Sequence, residues 1–144
     1  MRCLHEVITM PSKKDLKLNE FGISLLAYRE LKYFCLQYEE KKMEISSLLG
    51  CKGVSYDKSS VQGGVSDPTG YTAQRIIKLS DDIELIENTI KEVGEDIYSY
   101  LLANIAHNTP YETLNVPCGR RQFFETRRKF FYLLNLKKRT PKYL

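Results

Sequence analysis

The sequence predicts an all-α protein in which a long helical hairpin precedes a C-terminal helix-turn-helix-like unit of three helices. Three observations lead to this prediction. Apolar residues recur at three- and four-residue steps over 23–49 and 69–93, glycine and serine concentrate between these segments, and short punctuated helices precede a basic C-terminal helix. With 144 residues the chain can bury a core without disulfides.

Composition favours a globular cytoplasmic protein. The chain is 42% hydrophobic and 28% charged, and no apolar run approaches the ~20 residues that span a bilayer. The N-terminal residues MRCLHEVITMPSKK lack the apolar stretch of a signal peptide. Cys3, Cys35, Cys51 and Cys118 match no zinc or redox spacing, so we expect free thiols and predict neither a metal nor a cofactor.

The first part of the chain is interpreted as an N-terminal arm and a long helix (1–49). Residues 23–49 predict one continuous helix that stops at Gly50. A Gly/Ser-rich linker or loop (50–68) follows, and its glycine spacing does not match a phosphate-binding loop.

The second hairpin helix is predicted over 69–94, with Asp67 as its cap and Pro68 in its first turn. Its a/d seam consists of Ile76, Leu79, Ile83, Ile86, Ile90, Val93 and Ile97. This seam is expected to pack on helix 23–49 as an antiparallel pair, or to be shared with a second chain in a homodimer. The acidic residues between the seam positions are expected to form a solvated face.

Residues 95–144 are interpreted as a basic DNA-binding unit. A helix over 96–107 is followed by a Thr-x-x-Glu capping box (109–112), a short helix to about Asn115 and a final helix over 119–138. This is the order of helices in a unit whose last helix enters the major groove.

The final helix carries the candidate site. Residues 117–144 contain nine Lys/Arg and one Asp/Glu, a net charge of +8, after a segment (67–116) with a net charge of −6. At 100° per residue one face is apolar and includes Arg127 near its centre. The residues predicted to face DNA are Arg120, Arg121, Gln122, Arg128, Lys129, Tyr132, Lys137 and Lys138.

Their chemistry suits duplex DNA. Arginine can donate two parallel hydrogen bonds to guanine and glutamine can pair similarly with adenine, so Arg121, Gln122 and Arg128 are predicted to contact bases. Lysines near the helix end are predicted to contact phosphates. A basic helix that is merely solvated is the alternative, and RNA contact remains open.

An enzyme is not predicted. Asp81 and Asp82 are adjacent, so on a helix they point about 100° apart and cannot work as a facing pair. His107 is interpreted as a helix C-terminal residue. Cys118 is interpreted as structural rather than nucleophilic, although it lies at a helix N-terminus beside Arg120 and Arg121, a setting typical of reactive thiols.

Several runs resemble a family of phage proteins. They are Gly53–Asp57, Ser66–Thr69, Tyr111-x-x-Leu114, Pro117–Gly119 and Arg127–Phe131. Over about residues 50–138 the chain resembles the ArpU/RinA type of late transcription regulator, encoded in phages and prophages of Gram-positive bacteria. The chain lacks the Trp-x-x-Ile-Ala motif common in that family, since it has no tryptophan.

The resemblance implies a helical hairpin followed by a helix-turn-helix similar to the last region of a sigma factor. The predicted function is therefore a phage-encoded transcriptional regulator that binds duplex DNA in the host cytoplasm, with host RNA polymerase or another host protein as a candidate partner. The alternative is a helical interaction protein, such as a packaging component or an inhibitor of a host nucleic-acid enzyme.

Overall fold

The computed structural model describes residues 22–54 and 68–140, and within these ranges the protein is built of helices without a strand. The all-α prediction is confirmed. The helices are α1 (Leu25–Leu36), α2 (Tyr38–Val54), α3 (Pro68–Gly94), α4 (Tyr98–Ala106), α5 (Tyr111–Leu114) and α6 (Arg120–Arg139). A 3₁₀ turn (Glu95–Ile97) joins α3 to α4. The predicted arm and most of the predicted linker lie outside the described residues.

The predicted helix over 23–49 is wrong in one respect: it is divided at Gln37. Gln37 leaves the helical conformation (φ −80°, ψ 1°), and its carbonyl accepts the first hydrogen bond of α2, from Lys41. The break allows the two segments to face different partners. Tyr28 of α1 packs edge-on against Phe131 of α6, whereas Tyr38 of α2 donates to Glu87 of α3.

The start of α1 depends on two residues before it. Gly22 has a positive φ of 68°, a conformation that glycine adopts readily, and so turns the chain into the helix. The Ser24 hydroxyl then accepts from the Ala27 amide at 3.1 Å as an N-cap. At the other end of the pair, α2 continues through Gly50 to Val54, so the predicted stop at Gly50 is wrong.

Helices α2 and α3 form the predicted antiparallel pair. The Tyr38 hydroxyl donates to Glu87 at 2.5 Å, and the Lys41 ammonium donates to Asp82 at 3.0 Å. Residue numbers thus rise along α2 while those of the partners on α3 fall. Part of the predicted seam lies inside: Leu79, Ile86 and Ile90 of α3 are buried, whereas Ile83 is half-buried. The antiparallel prediction is confirmed.

The sequence predicts a solvated acidic face on α3. This prediction is wrong in part, because some of its carboxylates pair with lysines. Asp82 lies between the ammonium groups of Lys41 and Lys78, at 3.0 and 3.1 Å. Glu92 accepts from Lys137 of α6 at 2.5 Å. These carboxylates connect α3 to its neighbours on two sides, which is a tertiary role that the spacing of the sequence does not reveal.

The predicted break at Gly94 is confirmed, because α3 ends there and the 3₁₀ turn follows, and the same position packs closely against α6. A Cβ at Gly94 would lie 3.0 Å from Cγ2 of Thr126 and 3.1 Å from Cγ1 of Ile97. Such distances are tighter than ordinary contacts, so only glycine fits here without displacing a neighbour.

The α4–α5–α6 segment has the predicted order, but its second helix is a single turn. The predicted capping box is wrong, because Pro110 rather than Thr109 occupies the N-cap position and no side chain caps α5. The Thr109 amide instead closes the end of α4 by donating to the Ala103 carbonyl at 3.1 Å. Asn115 ends α5 in the left-handed conformation.

The core lies where α6 packs against α1, α3 and α4. Fully buried side chains come from each of them and include Cys35, Ile86, Leu101, Phe123, Phe130, Phe131 and Leu134. No helix in the described ranges has the length and the apolar character needed to cross a membrane.

We expect Ile86→Asp to lower the free energy of unfolding by about 4 kcal/mol or more, because it places an unpaired carboxylate in a fully buried site. Asn88→Asp, at an exposed position of the same helix, should change it by less than about 0.5 kcal/mol. Urea denaturation at fixed protein concentration measures both, and equal midpoints would contradict the packing of α3.

Candidate nucleic-acid interface

The broad apolar face of α6 is buried as the projection predicts. Phe123 and Phe124 lie edge-on with centroids 5.3 Å apart, and Phe130 and Phe131 repeat this arrangement at 5.1 Å. Tyr111 of α5 packs on the first pair, 5.2 Å from Phe123. The helix is therefore held by its aromatic face, and only the remaining stripe is available to a ligand.

Arg127 lies on the core side of α6, as expected from the sequence. Its Nε donates to Oδ1 of Asn104 at 2.8 Å and its terminal nitrogen to the hydroxyl of Tyr28 at 3.0 Å. The guanidinium also lies 4.9 Å from the centroid of the Phe131 ring. Arg127 thus connects α6 to α1 and α4, a structural role.

Arg128 is not on the exposed stripe, so the prediction that it faces DNA is wrong in its placement. The residue is only 4% exposed, and its guanidinium donates to Glu125 one turn earlier. Its Nε is buried without a hydrogen-bond partner in the described part of the chain. The projection failed here because neighbouring helices cover α6 unequally on its two sides, which a single-helix projection ignores.

Three further predicted cations lie on the surface but are engaged by the protein itself. Arg120 donates to Glu112 of α5 and lies over the rings of Tyr111 and Phe124. Lys137 donates to Glu92 of α3. Such partly exposed pairs contribute little stability, but a nucleic acid must compete with them.

Lys138, the third of these cations, folds back toward α1. Its ammonium lies 3.9 Å from the centroid of the Phe34 ring and 4.0 Å from Oε1 of Glu30. Lys137 and Lys138, predicted together as phosphate contacts, therefore both point to neighbouring helices rather than freely into solvent.

The exposed stripe of α6 retains Arg121, Gln122 and Lys129 from the prediction, and Arg139 extends it. Within the described part of the chain Arg121, Lys129 and Arg139 form no ion pair. Tyr132, which the projection places on the same stripe, is half-buried. The three cations are separated by about 12 and 15 Å along the axis at 1.5 Å per residue.

Gly119 occupies the N-cap position of α6, where it provides no side-chain cap. The first amides of the helix are therefore not satisfied by a capping side chain, and the positive end of the helix dipole lies beside Arg120 and Arg121. The same end of the helix thus combines backbone donors with guanidinium groups.

A charged cleft of about 470 Å³ at the break between α1 and α2 was missed by the sequence analysis. Although partial burial acts in the opposite direction, hydrogen bonds from Lys41 and Lys78 lower the pKa of the Asp82 carboxyl. The Lys41 ammonium also lies 4.0 Å from the centroid of the Phe34 ring. The isolated Lys41 and Asp82 give no sequence signal, because their pairing depends on the register of two helices.

The predicted thiols differ in environment. Burial raises the pKa of the Cys35 thiol to about 12, although Arg127, Lys138 and Lys41 act in the opposite direction. Cys118 is half-buried, and its backbone carbonyl accepts from the Tyr111 hydroxyl at 2.9 Å. In the described ranges no group of three His, Cys, Asp or Glu side chains could hold a metal ion.

Comparisons with protein-family models, with curated proteins and with solved structures find no match to this chain. The resemblance to ArpU/RinA-type regulators therefore stays a prediction from the motifs of the sequence.

We expect Arg127→Ala to lower the free energy of unfolding by about 1–3 kcal/mol, because it leaves the Asn104 and Tyr28 oxygens without their shared donor. Arg121→Ala removes the same charge from an exposed position and should change stability by less than about 0.5 kcal/mol. Denaturant titration of both variants measures the difference. Arg127 would have no structural role if the two curves coincided.

Proposed function

We propose that this protein binds duplex DNA through the exposed stripe of α6 and acts as a transcriptional regulator. The observation that carries the proposal is the set of Arg121, Gln122, Lys129 and Arg139 along one exposed face of a helix whose opposite face is anchored in the core. The regulatory role and the phage origin rest on the resemblance of the motifs.

The dimensions of α6 suit this role. A helix with side chains is about 10–12 Å wide and the major groove of B-DNA is about 12 Å wide. A helix held by aromatic packing has its backbone ordered before binding, so only the exposed side chains have to be ordered on contact with DNA. The stripe is thus available for insertion as a preformed unit.

The two ends of the stripe are proposed to make different contacts. Arg121 and Gln122, next to the uncapped N-terminus, are the groups that can read guanine and adenine edges. Lys129 and Arg139 are proposed to contact phosphates, which provides affinity but no sequence information. Arg128 is buried, and the half-buried Arg127 donates its hydrogen bonds to Asn104 and Tyr28, so neither is assigned to these roles.

A second candidate function, a helical interaction protein, is favoured by a different observation. Leu49 and Ile77 are 52% and 60% exposed near the far end of the α2–α3 pair. Exposed apolar side chains favour a contact with another protein where they form a continuous patch, and these two lie near the same end of the pair. In this function the basic stripe would bind nucleic acid without sequence choice.

The test begins with selection of a preferred duplex from a random pool. We expect Arg121→Ala to weaken binding to that duplex by about 1–3 kcal/mol and to affect a scrambled duplex much less. Lys129→Ala should weaken both duplexes alike and reduce the slope of log K against log salt by about one. Fluorescence anisotropy in a salt titration measures both effects.

Arg29→Ala is the matched control, because Arg29 is exposed on α1 and its replacement removes the same charge from a different surface. It should leave both duplexes nearly unaffected. Lys137→Ala should have a smaller effect than Lys129→Ala, since Glu92 already engages its ammonium. If Arg121→Ala and Lys129→Ala weaken both duplexes equally, the result favours the interaction protein. If the wild type binds neither duplex, DNA binding by the stripe is rejected with or without sequence choice.

A further inference from the structure

The far half of the α2–α3 pair, which we call the distal hairpin (residues 42–50 and 70–78), has no core of its own. None of its side chains is buried, and from Gly70 onward the first buried residue of α3 is Leu79. Two helices alone enclose too little apolar surface to be stable, because most helical stability comes from tertiary packing. The distal hairpin therefore has the features of half of a larger bundle.

The two faces of the α2–α3 pair, of which the distal hairpin is the far half, differ in chemistry. One face lines the charged cleft, where Lys41 pairs with Asp82 and Arg75 pairs with Glu44. The other face has an open groove of about 460 Å³ with Ile45 and Ile83 among its lining residues. On the first face these charged side chains pair with one another, whereas the second face exposes apolar surface.

The groove has the shape needed to receive side chains from another helix. Ser46 of α2 and Ser80 of α3 line it, and their small side chains leave room between the helices. Leu49 follows Ile45 by four residues and Ile77 precedes Ser80 by three, so both belong to the same face. The apolar surface thus continues from the groove toward the end of the hairpin.

The rim of the groove carries opposite charges on its two helices. Lys42 lies on α2, and Glu84 and Glu87 lie on α3. Glu87 already accepts from the Tyr38 hydroxyl. Within the described residues neither Lys42 nor Glu84 forms an ion pair, although Lys42 lies 5.1 Å from the centroid of the Tyr38 ring. A surface with one positive and one negative edge is complementary to a copy of itself.

We propose that this groove face is the interface of a homodimer in which two hairpins pack face to face as a four-helix bundle. With a two-fold axis parallel to the hairpin, α2 of each copy lies against α3 of the other in antiparallel orientation. Because Lys41 is level with Asp82 within one chain, Lys42 comes within about one helical turn of Glu84 of the second copy. The dimer pairs both charges and covers Leu49 and Ile77.

The decisive experiment is sedimentation of the full-length chain at tens of micromolar. The wild type should sediment at twice the 16.8 kDa mass of one chain. Lys42→Glu and Glu84→Lys should each raise the dissociation constant about tenfold or more, because like charges meet twice per dimer. A mixture of the two variants should dimerise again. In the mixed dimer the new carboxylate at position 42 meets the new ammonium at position 84, and the two unsubstituted side chains still pair with each other.

Recovery on mixing cannot come from a change within one chain, so it separates the interface from effects on folding. Glu95→Lys, at an exposed position outside the groove face, is the matched control and should leave the dimer intact. Ile77→Asp should weaken the dimer while circular dichroism remains helical. A monomeric wild type, or variants that stay monomeric when mixed, would overturn the proposal. These outcomes do not depend on DNA and so leave the proposed function to its own test.

Discussion

The structure depends on burial of the aromatic face of α6. Phe123, Phe130 and Phe131 are within 1% of full burial, and Tyr28 and Tyr111 pack on them from α1 and α5. Aromatic side chains bury a large area each and prefer edge-on contacts of this kind, so these contacts fix which side of α6 faces inward. Residues of α1, α3, α4 and α5 pack around that face, so a ligand of α6 must use the stripe that remains.

This constraint divides the basic residues of the C-terminal segment into two groups. Arg127 supplies hydrogen bonds inside a face that is otherwise apolar, and Lys137 connects the last turns of α6 to α3. Among the described residues of this segment, those on the outer stripe keep their charge available to a partner. A net charge therefore overstates the electrostatic attraction to nucleic acid, because part of it is engaged within the protein.

The charged cleft engages further cations, including Lys138 of α6. The centroid of the Phe34 ring lies 4.0 Å from the Lys41 ammonium and 3.9 Å from the Lys138 ammonium. Asp82 then connects Lys41 to Lys78. One face of the α2–α3 pair is thereby satisfied by its own charges. The opposite face, with Ile45 and Ile83 along its groove, is the one left with exposed apolar side chains.

The sequence by itself determined the helical class, the antiparallel pair, the break at Gly94 and the inward position of Arg127, since each follows from the period of apolar residues or from local backbone preference. Three residues of the candidate site, Arg121, Gln122 and Lys129, were also predictable, because they lie opposite the aromatic face. Tertiary structure alone decided that the predicted first helix is divided at Gln37. No glycine or proline marks this position, but α1 and α2 pack on different partners. Tertiary structure also decided the burial of Arg128 and the pairing of Asp82, because both depend on which neighbouring helix covers a given side, and no repeat within one helix encodes that.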